Sequence, residues 1–483
     1  MTRARRNYVD GEWIESSSGE TFEVRNPAEP TTVVDEYQQS NEEDVEAAVT
    51  AAAVAADSWA ETPAPRRGEI LRDAAKALDA ESEELIEALV REEGKTRSEA
   101  GEVERAIDIF YYFAEQARDF GGSVKQASDR RSDLYTVTEP LGVAALITPW
   151  NYPIAIPAWK IAPALATGNS VVVKPGSNAP GPALAIVEAL DRAGIPDGVV
   201  NVLTGSGRDV GEPLIGHEDV DAVSFTGSTE VGEMVYDTAT EGNKRVQCEM
   251  GGKNPTIVTE SADLDDAVEI VGTGAFGTTG QSCTACSRAI VSRSVYDEFL
   301  EKMTTFAQTL EIGNGLDDPD MGPHVSEDEL ESTLEYVDIA KDEGAELVYG
   351  GSELTDGAYE TGYYVQPTIF GEVESTMRIA REEVFGPVLS VIPVSGFDEA
   401  MTVANDVEYG LSASIVTSDH TEAERFVDDI EAGVAKVNET TTGLELHVPF
   451  GGYKRSSTNT YREQGEEGMR FFTSTKTVYD NYY

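Results

Sequence analysis

The sequence predicts an α/β protein with two doubly wound parallel-sheet domains and a small β module. Three observations lead there. After Gly142, short β-branched runs alternate with helix-length amphipathic ones. Hydrophobic residues make up 40% of the 483 positions and are spread along the chain without an internal repeat or low-complexity linker, so large cores can form. Two β-prone aromatic stretches, "SDLYTVTEPLGV" from Ser132 and "RFFTSTKTVYDNYY" from Arg470, fit neither alternating series.

The elements follow in order. From about Glu46 to Gly122 the apolar spacing is helical, as in "RGEILRDAAKALDAESEELIEALVREEGK". The region Pro140 to Pro175 is the most apolar, but prolines and Lys160 break it, so it reads as buried core and not as a membrane span. "VAALI" then reads as strand, "PGPALAIVEALDRAG" as helix, "GVVNVLTG" as strand and "RDVGEPLIG" as a short helix. "DAVSFTG" is strand, "STEVGEMVYDTATEG" helix and "RVQCEMGG" strand. A second series has helices at "DLDDAVEIVGTGAFG" and "YDEFLEKMTTFAQTL" around the strand "SRAIVS", with further strands in "EEVFGPVLSVIPV", "ASIVTS" and "GVAKVNE". The expected division is 1–122 with 141–250, then 251–467, meeting around Met250 to Gly252. The two aromatic stretches, 123–140 and 468–483, form one β module that pairs between subunits, because an exposed apolar strand needs a partner.

Charge narrows the function. Acidic residues number 89 against 36 basic, a formal charge of −53, which disfavours nucleic acid and anionic membrane surfaces as partners. The carboxylates are distributed over helix-like segments, the pattern of a protein kept soluble in high salt. Cys248, Cys283 and Cys286 make no disulfide framework and point to a reducing cytoplasm. The start, "MTRARRNYVDGEWIES", has no apolar core and is not a signal peptide.

Several residues could carry chemistry. In "SFTGSTEVG", Gly227 and Ser228 lie between a strand and a helix, where backbone amides suit a pyrophosphate; a plain tight turn explains them as well. Lys174 ends an apolar strand, a ligand position in such sheets or simply a solvated strand end. Cys283 and Cys286 form C-x-x-C, but the βαβ context of a redox motif is missing, and three cysteines with four scattered histidines do not make a metal site. A thiol nucleophile remains. Glu249, at a strand end before two glycines, could activate water or could be one more solvated acid.

Taken together, these pieces resemble the aldehyde dehydrogenase superfamily over nearly the whole chain: "TPWNYP" (148–153), "VVVKP" (171–175), "FTGSTEVG" (225–232), "EMGGKNP" (249–255), "GQSCTACSR" (280–288), "EEVFGPV" (382–388) and "PFGGYKRS" (449–456). The resemblance implies that fold, with two Rossmann-like domains, cofactor-binding and then catalytic, and a β oligomerisation module giving a homodimer or homotetramer. It implies Cys283 as nucleophile, Asn151 with the Cys283 amide as oxyanion donors, and Glu249 as the base that activates the hydrolytic water. Lys174 is expected at the adenosine ribose, Gly227 and Ser228 at the pyrophosphate, Trp150 near the cofactor, Glu383 at the nicotinamide ribose and Phe385 against its ring. Family members committed to NAD commonly carry glutamate where this chain has Ser177; serine does not repel a 2′-phosphate, so NADP is expected to be preferred, with NAD accepted.

By position, Gly101, Arg105, Tyr152, Ile156, Trp159, Ser282, Leu444 and Phe450 line the substrate tunnel. Arg105 shares a helical face with Ile109 and Tyr112, and a buried arginine calls for an anion; pairing with Glu102 or Glu104 is the alternative. The run "NETTTGLELHVPFGGYKRSSTNTYREQG" is similar to the bacterial and archaeal 2,5-dioxovalerate (α-ketoglutaric semialdehyde) dehydrogenases. That similarity implies a small carboxylated aldehyde, 2,5-dioxopentanoate oxidised to 2-oxoglutarate, as the expected substrate, with succinate semialdehyde or another small aldehyde as alternative. A non-catalytic structural relative of the same fold is the competing class. Cys286 is read as buried filler, with a stress disulfide to Cys283 as the alternative.

Overall fold

A computed structural model describes residues 4–482. A seven-stranded sheet forms the first half, in the order Arg245–Glu249, Ala222–Thr226, Val143–Ile147, Ser170–Lys174, Val200–Val202, Asn7–Val9, Glu12–Ile14. Its first five strands are parallel and the last two antiparallel. The strands at 143–147, 170–174 and 222–226 are buried at every residue, because helices cover both faces and no position can turn to water. The two N-terminal strands, and the hairpin of Thr21–Asn26 with Glu29–Gln38, lie upstream of the helical region and were not among the expected strands.

The proline-broken apolar region contains a helix, Ala155–Thr167, buried along its whole length. Pro157 sits in its first turn, where no amide partner is lost, and Pro163 lies inside. A helix with no polar face has nowhere to lie but the interior. It packs in the first core with helices Ala64–Ala80 and Glu102–Asp119 and with Met469, Phe471 and Phe472 from the chain end.

From Asn254 the chain builds a second seven-stranded sheet, in the order Glu346–Tyr349, Thr368–Gly371, Val388–Val394, Cys286–Ser292, Asn254–Val258, Ser412–Val416, Val434–Val437. All its pairs but the first are parallel. Ser132–Pro140 pairs antiparallel with Thr473–Asn481 of the same chain, from Thr473↔Pro140 to Asn481↔Ser132, so the two aromatic stretches find each other. No helix among the described residues is long and apolar enough to cross a membrane.

Candidate active site

In the first sheet, strands lie on both sides of Val143–Ile147, and the chain changes direction there. Such a switch point opens a crevice at the carboxyl ends. Lys174, Thr226 and Glu249 end their strands at this edge, and Thr148 to Asn151 follow Ile147. A cavity of about 220 Å³ occupies the crevice and brings together Trp150, Asn151, Gly227, Ser228, Glu383 and Phe385 with Cys283. Glu329, Thr226, Met250 and Gly251 also line it and were not singled out from sequence.

The cavity has the donor set of a nucleotide site. Ser228 caps helix Thr229–Glu241 without a side-chain hydrogen bond, so first-turn amides stay open, and the hydroxyls of Thr226 and Thr229 are buried without partners. The Trp150 and Phe385 rings meet edge to face, 5.5 Å apart, with Phe385 at a left-handed φ of 51°. Glu383 accepts a 2.9 Å bond from the Gly252 amide, and burial pushes its carboxyl up to about 7. A Cβ on Gly251 would fall 2.0 Å from Glu383 Oε2, so the first glycine of the pair leaves room for this acid. Lys174 and Ser177 lie outside the cavity lining: Lys174 Nζ donates to the Pro175 carbonyl at 3.0 Å, and Ser177 Oγ to the Gly205 carbonyl at 3.0 Å. Burial lowers Lys174 to about 8.

Cys283 follows a turn, Gly277–Gly280, in which Thr278 and Thr279 adopt φ of 52° and 54° and Gly280 67°. Left-handed β-branched residues cost about 1–3 kcal/mol each and persist only when held. Here the Thr278 amide donates to the Glu99 carboxylate, and Thr279 Oγ1 donates to the Gly322 carbonyl at 3.0 Å. Asn151 Nδ2 donates to the Gln281 carbonyl at 3.0 Å, fixing the side-chain amide beside the thiol. Burial, with the nearby Glu383 and Glu249 carboxyls, pushes Cys283 up to about 12. Cys286 starts the strand beyond, its Sγ turned to Thr256 Oγ1 at 3.2 Å; it is buried, and all three cysteines are free.

Glu249 lines neither this cavity nor the next one. Its carboxylate accepts from the Gly452 amide at 3.0 Å and from Ser457 Oγ at 3.1 Å. Burial, reinforced by Glu463, raises its pKa well above the usual carboxyl range. Glu463 pairs with buried Lys160, which also donates to Ser224 Oγ at 2.7 Å.

A second cavity, about 120 Å³, adjoins the first at Cys283. Arg105, Tyr152, Ile156, Trp159, Leu444 and Phe450 line it, as expected. Ser282 and Gly101 do not; Ser282 accepts a 3.3 Å bond from the Tyr152 hydroxyl. Glu102, one alternative partner for Arg105, lines the same cavity; its Oε1 binds buried Lys95 at 3.2 Å, and its Oε2 is buried without a hydrogen-bond partner. Among the described residues Arg105 has no carboxylate at ion-pair distance, and its Nη2 is buried without an acceptor. Burial lowers its pKa, and Glu445 opposes this. The Trp159 indole N–H is likewise buried without an acceptor. Lys95 was missed, because "REEGKTRSE" reads as a solvated charge run. It donates to the Asn151 carbonyl at 2.8 Å and lies 4.6 Å from the Tyr152 ring, holding the segment that carries both side chains.

The chain and its fold have counterparts among known proteins. The chain is 62% identical to an alpha-ketoglutarate semialdehyde dehydrogenase of Haloferax volcanii over the full length of both. It is 45% identical to an alpha-ketoglutaric semialdehyde dehydrogenase of Bacillus subtilis (98% of this chain, 97% of the relative) and 43% identical to a 2,5-dioxopentanoate dehydrogenase of Saccharolobus solfataricus (97% and 98%). A betaine aldehyde dehydrogenase of Staphylococcus aureus, solved with NAD+, superposes with a TM-score of 0.96 at 34% identity, over 99% of this chain and 95% of that one. The aldehyde dehydrogenase family model matches residues 13–478, and the chain belongs to that family.

Proposed function

We propose that the protein oxidises 2,5-dioxopentanoate to 2-oxoglutarate, with NADP preferred over NAD. The observation that carries the substrate is Arg105, an unpaired guanidinium in a cavity shared with Cys283. A half-buried guanidinium with no ion pair and one buried N–H without an acceptor suits a substrate carboxylate. The acceptor-less Trp159 N–H beside it suits the 2-oxo group, which succinate semialdehyde lacks. The names of the Haloferax, Bacillus and Saccharolobus relatives agree with this choice.

The Cys283 thiolate attacks the aldehyde carbon. The oxygen, now an oxyanion, is held by the second N–H of the Asn151 amide and by the Cys283 backbone amide, donors aimed at charge that develops in the transition state. A nicotinamide cofactor held by Trp150, Gly227, Ser228, Glu383 and Phe385 would supply the hydride acceptor, and loss of hydride from the carbon leaves Cys283 as a thioester. Glu249 then takes a proton from water, whose oxygen displaces the thiol and gives the acid. For this step Glu249 leaves Gly452 and Ser457 and turns toward Cys283; its raised pKa makes it a stronger base than an ordinary carboxylate. The cofactor residues are Trp150, Gly227, Ser228, Glu383 and Phe385, with Lys174 and Ser177 at the adenosine ribose.

Ser177 supports the NADP preference, because nothing anionic at that position opposes a 2′-phosphate. Ser177→Glu places a carboxylate there, and at about 4 Å like charges near a surface repel by about 4 kcal/mol. The expected result is a fall of at least about tenfold in kcat/KM for NADP with NAD little changed. Equal loss for both would remove Ser177 from cofactor selection.

The same reading divides the chain into a cofactor domain (1–122 and 141–250), a catalytic domain (251–467) and the β module. The module's outer strand, Thr473–Asn481, leaves Tyr479 71% exposed, which supports pairing between subunits of a homodimer or homotetramer. Free cysteines support a cytoplasmic location, and the charge of −53, together with 62% identity to a Haloferax relative, supports work in high salt.

A further inference from the structure

His324 is buried completely, at 0% exposure, between the two strained loops of the site, and neither the motifs nor the mechanism above uses it. Its Nδ1 lies 3.2 Å from Gln281 Oε1. The same oxygen accepts the Val325 backbone N–H at 3.0 Å, which fixes the orientation of the Gln281 amide. Oε1 only accepts, so Nδ1 must carry the hydrogen, and Nε2 is left as a buried lone pair without a partner. Burial lowers the ring to about 3, so it is neutral at working pH. The Gln281 carbonyl, in turn, is the group that holds Asn151 Nδ2 at 3.0 Å. On its other side the imidazole backs the cofactor loop: a Cβ on Gly386 would come within 3.1 Å of His324 Cε1, and one on Gly280 within 2.2 Å of the Gly386 carbonyl.

We propose that His324 is a positioning residue for the oxyanion donor: its Nδ1–H locks Gln281, and through the Gln281 carbonyl it holds the Asn151 amide in place, at the seam where the cysteine loop meets the cofactor loop. This rests on the reading of Asn151 as oxyanion donor. The loop needs such a lock because Thr278, Thr279 and Gly280 all adopt left-handed φ immediately before Gln281. Without it the strained turn relaxes, and the Asn151 amide loses the acceptor that aims it. A small misplacement of a reacting group costs one to two orders of magnitude in rate.

The test compares His324→Leu, His324→Asn, Asn151→Ala and the double variant Asn151→Ala/His324→Leu. Three rates are read: aldehyde-dependent NADPH formation, cofactor-free hydrolysis of 4-nitrophenyl acetate, and alkylation of Cys283 by iodoacetamide. Ester hydrolysis develops an oxyanion without hydride transfer; alkylation develops none. His324→Leu should lower the first two by about tenfold while alkylation and the KM for NADP stay within about twofold. His324→Asn, which keeps a donor near the Nδ1 position, should restore both. In the Asn151→Ala background, His324→Leu should add little. If the leucine variant does not fold, His324→Ser, too short to reach Gln281, carries the same comparison. Wild-type rates in the leucine or serine variant, an equal fall in alkylation, no rescue by asparagine, or full additivity with Asn151→Ala would each overturn the proposal. If Asn151→Ala itself leaves both rates unchanged, the fault lies in the oxyanion reading instead.

Discussion

Mixed with saturating aldehyde and NADP, Glu249→Gln should release one NADPH per active site in a burst and then almost stop. Acylation needs Cys283, Asn151 and the cofactor; the substitution leaves these groups in place, and removing the Glu249 charge favours the Cys283 thiolate. Deacylation needs a base for water, and an amide is not one. General-base assistance is worth about 10²–10⁴ in rate, so the steady state should fall by that factor. Glutamine keeps one oxygen to accept from the Gly452 amide, and its NH2 can donate to Ser457 Oγ in place of the second carboxylate oxygen, which limits the structural disturbance. Stopped-flow absorbance at 340 nm gives the burst, and mass spectrometry of the quenched protein gives the acyl adduct on Cys283. Linear turnover at the wild-type rate would mean that another group activates the water. Loss of the burst itself would mean that Glu249 acts before acylation.

Asn151→Ala should cost about 10²–10³ in kcat, the usual effect of removing one oxyanion donor. The KM for NADP should hardly move, since Asn151 binds the reacting oxygen and not the nucleotide. The burst should be slowed rather than lost, which separates this variant from Glu249→Gln. The carbonyl of residue 151 stays on Lys95, so unfolding is not expected. A kcat within about threefold of wild type would leave the oxyanion to backbone donors alone.

Much of this architecture was legible in the chain because its signals are local. Strand–helix alternation exposes buried parallel strands such as Val143–Ile147 and Ala222–Thr226, each of which pairs with the next strand in the chain. The residues around Cys283 were legible through short motifs, and the structure gathers seven of them, from Trp150 to Phe385, into one cavity. What stayed hidden depends on distant partners. Helix Ala155–Thr167 has no polar face to give a period, and its prolines suggest a break. Strands Asn7–Val9 and Glu12–Ile14 are three residues each and are strands only because Val200–Val202 offers an edge. The Glu249 carboxylate rests on Gly452 and Ser457, some 200 residues on, and nothing near "CEMGG" says so. Arg105 makes no ion pair among the described residues although Glu102 lies in the same cavity, and Lys95, which binds Glu102, looks like one charge in a solvated run. His324 carries no motif; it becomes interesting only beside Gln281 and Gly386.

The measurement that tests the substrate reading most directly is kcat/KM in high salt for 2,5-dioxopentanoate, succinate semialdehyde and propanal, with wild type, Arg105→Met and Trp159→Phe. A hydrogen bond to a charged group contributes about 1.5–3 kcal/mol, so Arg105→Met should lower kcat/KM for both acids by about 10- to 150-fold and leave propanal nearly unchanged. Trp159→Phe keeps the ring but removes the donor, and should lower the dioxo acid selectively, by several-fold. In wild type the dioxo acid should lead. If propanal matches it and Arg105→Met changes all three substrates alike, Arg105 is structural and the carboxylated substrate is wrong, leaving an aldehyde dehydrogenase of another specificity.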